Sequence, residues 1–525
     1  MDIVERLYKN FEILSSAKDK AKEHEKEYLE ILEAVKGNAN EKRLASQFIA
    51  RFFKHFPNLA DQTIDSILDL CEDEDTSIRK QAIKDLPQLC RENRTFLPKI
   101  ADVLAQLLQS DDTTEIKEVH SSLTVLFKID AKGTLYGLFS QIQSDEAEDN
   151  VIRERTIKYL AAKVKTFDKE VMNKEAEEIL WTEVKKSLKD VSGEEFVQFL
   201  DILSGTQTGR TVSGHQQVLQ LVQEQLDPAD QLDLTDSESA DKLLLCIRQA
   251  IRYVSRQTRP TQLVGYLVDA VVPRLEQLSA DAQLELLKPL AEMSQYCGEL
   301  EETAARCDKL YAALTDRMPL PPPVTEENGA VGDPPSLEFS HIECLMFTLH
   351  QLARRVPSWL TDDADRLKEF RLRLQYLARG TQAYIKSLRE ALKDADLKSE
   401  ENKLRAVALK TTSNINTMIK DLFHTPPSYK STVSLSWKPQ AGSATAQQHQ
   451  KVTAESPTAK PGDKRRVPIT FGGQDSANKN KDGRRMYQPP SGKYSERAGG
   501  YREQGGGQRG GQRGGRGRFR GGNRY

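Results

Sequence analysis

From residue 1 to about 424, apolar side chains recur three and four positions apart, as in Phe48, Phe52, Phe53 and Phe56 or in Ile415, Met418, Ile419 and Leu422. That spacing gathers them on one face of an α-helix. Alternating β-branched runs bounded by glycine are almost absent, and only 12 of the 30 glycines precede residue 441. The pattern predicts an almost wholly α-helical body. It stops after Phe423 at Pro426 and Pro427, and in SYKSTVSLSWKP the residues Val433, Leu435 and Trp437 alternate along an extended strip that is expected to dock on the helices.

Two stretches of the first half share one design: an acid-rich turn, then Ile-Arg, then a helix. They are DEDTSIRKQAIKDL, with Asp75 and Arg79, and EDNVIRERTIKYL, with Asp149 and Arg153. Weaker copies place Lys117 between them and Lys42 before them, so the steps are 37, 38 and 36 residues. A period of that length, built of two antiparallel helices, marks a HEAT-type solenoid, in which each helix pair buries its apolar face only by stacking on the next. Asp75 and Asp149 are placed to cap a helix, and Arg79 and Arg153 to pair with acids of the adjacent repeat.

Beyond residue 204 the period blurs, with loop-like sequence at 205–214 and 227–241 and a stiff Pro319-Leu320-Pro321-Pro322-Pro323 before an acidic linker to Pro335. Helical periodicity resumes between these breaks. The expected organisation is a helical-repeat unit at 1–204, a second helical array with its terminal strip at 205–440, and a tail at 441–525.

Charge separates body from tail. The chain carries a net charge of −2, but residues 441–525 hold 18 Lys and Arg against 6 Asp and Glu, which leaves the body at −14. The tail is rich in Gly, Ser, Gln, Arg and Lys, with too little to bury to offset its ordering entropy, so it is expected to be disordered. The start MDIVERLYKNFEI has no apolar signal core, and no eighteen apolar residues run together, so neither secretion nor membrane insertion is expected. The six cysteines, without C-x-x-C pairs, read as reduced core residues of a nuclear or cytosolic protein.

The blocks KRLASQFIARFFKHFPNLAD, LDLCEDEDTSIRKQAIKDLPQL, DAKGTLYGLFSQI, LFHTPPSYKSTVSLSWKP and PPSGKYS together resemble the apoptosis inhibitor 5 family. The resemblance implies an all-α fold, HEAT-like in its first half and ARM-like in its second. It also implies a nuclear, anti-apoptotic protein partnered by Acinus and a basic fibroblast growth factor, and carrying an LxxLL element and a leucine zipper; a monomer with some cytoplasmic presence is expected besides.

Leu104, Leu107 and Leu108 fit LxxLL, a pattern that lays leucines into a partner's groove. They fall inside a repeat, where leucines face the core, so packing is the expected role. The heptad run through Phe370, Leu374, Leu377, Tyr384 and Leu388 has mostly uncharged flanks and a glycine at its middle, Gly380, which suits a helix buried among neighbours better than a two-stranded zipper. Arg51, Lys54 and His55 make a basic patch expected to be a solvated helix face.

In the tail, Lys464, Arg465 and Arg466, followed by Arg484 and Arg485, resemble a bipartite nuclear-import signal. The last residues bring Arg509, Arg513, Arg516, Arg518, Phe519 and Arg520 together in Arg-Gly-Gly units. Arginine contacts phosphate and stacks on bases, aromatic rings add platforms, and glycine lets the backbone follow an irregular RNA. A solubilising basic tail or a methylation substrate is the alternative. No HExxH, G-x-S-x-G or P-loop occurs, so no catalytic residue, metal ligand or cofactor is assigned. The expected function is a protein-interaction scaffold; an RNA-binding adaptor in ribonucleoprotein processing or export is the runner-up.

Overall fold

The computed structural model describes residues 2–144, 151–321, 337–392 and 399–438. All of them fall within one compact unit, Met1–Ala446. Among the described residues every regular element is helical. The expected all-α helical-repeat fold is the observed one.

The helices are α1 (Ile3–Ala17), α2 (Glu25–Glu33), α3 (Ala39–Phe52), α4 (Ala60–Cys71), α5 (Thr76–Glu92), α6 (Leu97–Gln106), α7 (Thr113–Ile129), α8 (Ala131–Ile142), α9 (Val151–Lys163) and α10 (Lys174–Ser187). They continue with α11 (Gly193–Gly205), α12 (Val212–Glu224), α13 (Ser237–Ala250), α14 (Thr261–Tyr266), α15 (Ala280–Ser294), α16 (Thr303–Asp316), α17 (Phe339–Ala353), α18 (Ala364–Leu392) and α19 (Glu400–Phe423). Odd-numbered helices pack on one another in two runs, α1 on α3, α3 on α5 and α5 on α7, then α9 on α11 and so on to α17 on α19, while α8 stands between α7 and α9. The even-numbered helices lie alongside, with α8 between α6 and α10. The α6–α8 contact is close because residue 137 is glycine: a Cβ there would stand 2.4 Å from the Pro98 carbonyl oxygen.

Local chemistry starts these helices where the chain needs them to start. Asn38, Asp75, Asp112, Asn173, Ser192, Asp236, Ser279 and Ser399 each occupy an N-cap, where a side-chain oxygen accepts from an otherwise orphaned backbone N–H. Asp149 lies outside the described residues. The apolar faces then bury a continuous core that runs from Leu7 to Leu435. All six cysteines are buried thiols in it, and burial pushes those of Cys71, Cys90, Cys246 and Cys307 up to about 12. The second half is less regular for a visible reason. Pro273 has no N–H to donate, and after α14 the chain continues as a π-turn at Leu267–Val271 and a 3₁₀ segment at Val272–Gln277.

Candidate partner-binding surface

The first repeats are riveted by ion pairs that use the same two positions. Arg79, in the first turn of α5, reaches α7: its Nε lies 3.2 Å from both Glu115 carboxylate oxygens and its Nη2 lies 2.9 Å from Oε2. Its Nη1 donates to the carbonyls of Asp73 at 2.8 Å and Glu74 at 3.1 Å, so it also ties down the turn before its own helix. Two repeats on, Arg153 of α9 repeats the design with Glu195 of α11 at 2.7 Å and with the Asp190 carbonyl at 2.6 Å. Lys42 of α3 reaches Asp73 at 2.5 Å.

Both carboxylates stand at the third helical position. Glu195 closes a capping box with Ser192 while it accepts from Arg153, and Glu115 follows the N-cap Asp112 by three residues. One acid thus serves its own helix end and the neighbouring repeat. The pairing of Arg79 and Arg153 with acids of the adjacent repeat was legible in the sequence; that those acids are Glu115 and Glu195, each also at its own helix start, was not.

A different clamp closes the far end. The strip after α19 lies against the helices with Leu435 buried and with Val433 and Trp437 packed on the core. It is held by polar groups distant in sequence. Glu343, on α17 and wholly buried, accepts from Ser436 N at 3.1 Å, Ser436 Oγ at 2.6 Å and Asn414 Nδ2 at 2.6 Å. Asp421 accepts from Ser431 N at 2.7 Å and is joined to His350 Nε2 at 3.0 Å. Burial alone raises the Asp421 carboxyl, but the bonds from Ser431 and His350 outweigh it and hold the group below its ordinary range; burial lowers His350. Trp437 Nε1 and Lys438 Nζ both reach Glu292, at 2.6 and 2.7 Å.

The residues singled out in the sequence are distributed as follows. Leu104 lies in α6 and is fully buried, whereas Leu107 and Leu108 fall where that helix tightens without a gap into a 3₁₀ turn, Leu107–Gln109, with Leu108 buried and Leu107 half-buried. That turn packs under α9, where Arg155 donates to the Leu108 carbonyl at 2.7 Å. Phe370, Leu374, Leu377 and Leu388 turn inward from α18. Phe370 meets Tyr311 edge-on at 5.2 Å, and the half-exposed Tyr384 stacks on Phe339. Arg51 and Lys54 are exposed, and the Arg51 guanidinium sits 5.5 Å over Phe11. Lys464, Arg465, Arg466, Arg484, Arg485 and the Arg-Gly segment from Arg509 to Arg520 lie outside the described residues.

Among the described residues, no group of three or more His, Cys, Asp or Glu stands together as a metal site, and no helix is long and apolar enough to cross a membrane. The side-chain chemistry instead joins repeats, and the fold and surface define a helical-repeat protein of stacked helix pairs. A model of the apoptosis inhibitory protein 5 family matches residues 4–525. The chain belongs to the apoptosis inhibitor 5 family. It is 50% identical over 506 residues to apoptosis inhibitor 5 of Gallus gallus, covering 94% of each chain. The Homo sapiens relative is 49% identical over 510 residues, covering 94% of this chain and 93% of that one. The Drosophila melanogaster homologue is 44% identical over 525 residues, covering 95% and 94%.

Proposed function

We propose that this chain is a nuclear protein-interaction scaffold that acts as an anti-apoptotic regulator by binding and restraining pro-apoptotic nuclear factors, and that it carries out no reaction of its own. The observation that carries this reading is the riveted stack itself, since repeats locked by partly buried ion pairs hold a long surface in fixed geometry at little ordering cost on binding. The net charge of −14 on residues 1–440 favours basic partners and speeds their encounter. Acinus and a basic fibroblast growth factor are the partners that family membership suggests. The Lys464 and Arg484 clusters would carry nuclear entry, and the arginines from Arg509 to Arg520 accessory RNA contact.

A direct test is fluorescence anisotropy with a labelled basic fibroblast growth factor, comparing the full chain with one ending at Ala446. The reading predicts saturable binding by both, weakening as salt rises. Binding that disappears with the tail removed favours the second reading, an RNA-binding adaptor, to which the three Arg-Gly-Gly units point.

A further inference from the structure

We propose that an arginine-lined cleft in the second half of the body binds an acidic, extended peptide segment of a partner protein. This is the reverse of the charge preference proposed above for the body as a whole. The cleft, of about 1000 Å³, lies between the loop before α14, the loop after α15, the end of α17 and the docked strip.

Four guanidinium groups line it, those of Arg256, Arg259, Arg354 and Arg355, against one carboxylate, Glu299. Arg79 and Arg153 find carboxylates, whereas Arg274 and Arg371 bond to carbonyls. The four in the cleft find no carboxylate among the described residues. Arg354 donates to the Tyr429 carbonyl at 2.7 Å and Arg355 to that of Cys297, bonds that fix the groups in place but leave their charge uncompensated. Arg256 and Arg259 are exposed and have no side-chain partner among the described residues. Fixed, exposed and unneutralised guanidinium forks are matched by carboxylates, which accept from them in pairs.

The strip supplies the second observation. On either side of Thr432 and Val433 main-chain groups are engaged, with Ser431 N bonded to Asp421, the Ser431 carbonyl to Arg354, the Ser434 carbonyl to Asn414 and the Leu435 carbonyl to Lys410. At Thr432 and Val433, which line the cleft, the main-chain groups have no partner among the described residues. An exposed stretch of extended backbone is a template for a second extended chain, whose alternate side chains then face the arginines. This favours a peptide over RNA, since a long polyanion leaving this local patch would run onto an acidic body.

The test uses the full chain and an acidic decapeptide of alternating Glu and Val carrying a benzophenone crosslinker, with single-stranded RNA as the second arm. Crosslinks are mapped by mass spectrometry, so capture by the basic tail is read separately. The proposal predicts crosslinks at residues 295–300 and 431–433 that fall by at least about tenfold in Arg256→Glu/Arg259→Glu, with unchanged thermal melting. Should that variant melt early, Arg256→Gln/Arg259→Gln decides, with a smaller fall expected. Crosslinks confined to 441–525, or crosslinks in the cleft that neither variant weakens, overturn the proposal. So does RNA that crosslinks in the cleft where the peptide does not.

Discussion

Arg79 and Glu115, 36 residues apart in the chain, meet across the boundary between two repeats, with Nη2 2.9 Å from Oε2 and the Glu115 side chain only 3% exposed. The spacing equals the repeat period. Arg153 and Glu195 occupy the corresponding helix positions two repeats on, 42 residues apart, so an electrostatic rung joins neighbouring units even where the spacing departs from the period. A buried carboxylate is costly unless it is paired and hydrogen-bonded, and here the pairing group comes from the adjacent repeat.

Replacing Arg79 with Met leaves Glu115 buried without its partner and is expected to cost about 3 kcal/mol. In a repeat stack the damage stays near its origin. Hydrogen exchange should therefore quicken in α5 and α7 while α15 to α19 keep their protection. The double variant Arg79→Met/Glu115→Met should recover most of the loss. Uniform loss of protection along the chain would contradict the local coupling.

At the other end, Glu343→Met removes both oxygens that accept from Ser436 N, Ser436 Oγ and Asn414 Nδ2 and leaves those donors without their partner. A loss of about 2 kcal/mol is expected, felt mainly by the strip. Limited trypsin digestion should cut faster after Lys430 than in the unaltered chain. Equal cutting rates would show that Glu343 does not hold the strip.

The strip should also loosen with acid. Burial holds His350 below its ordinary value, so the folded state prefers the neutral ring; that stability is full above the unfolded value near 6.5 and is lost as pH falls through and below it. Asp421, likewise lowered, adds a loss that begins only near the ordinary carboxylate range. Melting temperature should fall from pH 7 to 5, and His350→Gln should flatten part of that slope. His120 and His341 are also lowered by burial and supply the remainder. A slope unchanged by His350→Gln would remove His350 from this account.

Leu104→Ala should cost about 3 kcal/mol, because its side chain is fully buried. Leu107→Ala, at a half-buried position, should cost far less. If LxxLL acted as a single recognition helix, the two changes would weaken partner binding alike without lowering stability; denaturant midpoints of the two variants separate these outcomes.

The helices and their period were legible because each repeat must present the same apolar face, and N-caps such as Asp75 lie next to the helices they start. The heptad through Phe370 and Leu377 was legible as apolar, with its neighbours Tyr311 and Phe339 supplied only by the fold. What the sequence concealed depends on residues brought together from afar. Nothing near Glu343 announces that Ser436, 93 residues later, will bond to it. The tightening of the end of α6 into the 3₁₀ turn holding Leu107 and Leu108 was hidden for a similar reason, since Arg155 of a later helix captures the Leu108 carbonyl. The arginine cleft is assembled from four separate segments and leaves no local motif.

Selection of partners by the helical body, and not by the tail, is the core of the proposed function. It is tested most directly by affinity capture from nuclear extract with the full chain and with the chain ending at Ala446, each with and without ribonuclease. The account predicts the same set of retained proteins for both baits, resistant to the nuclease. Capture that requires residues beyond Ala446 and vanishes with ribonuclease would contradict it.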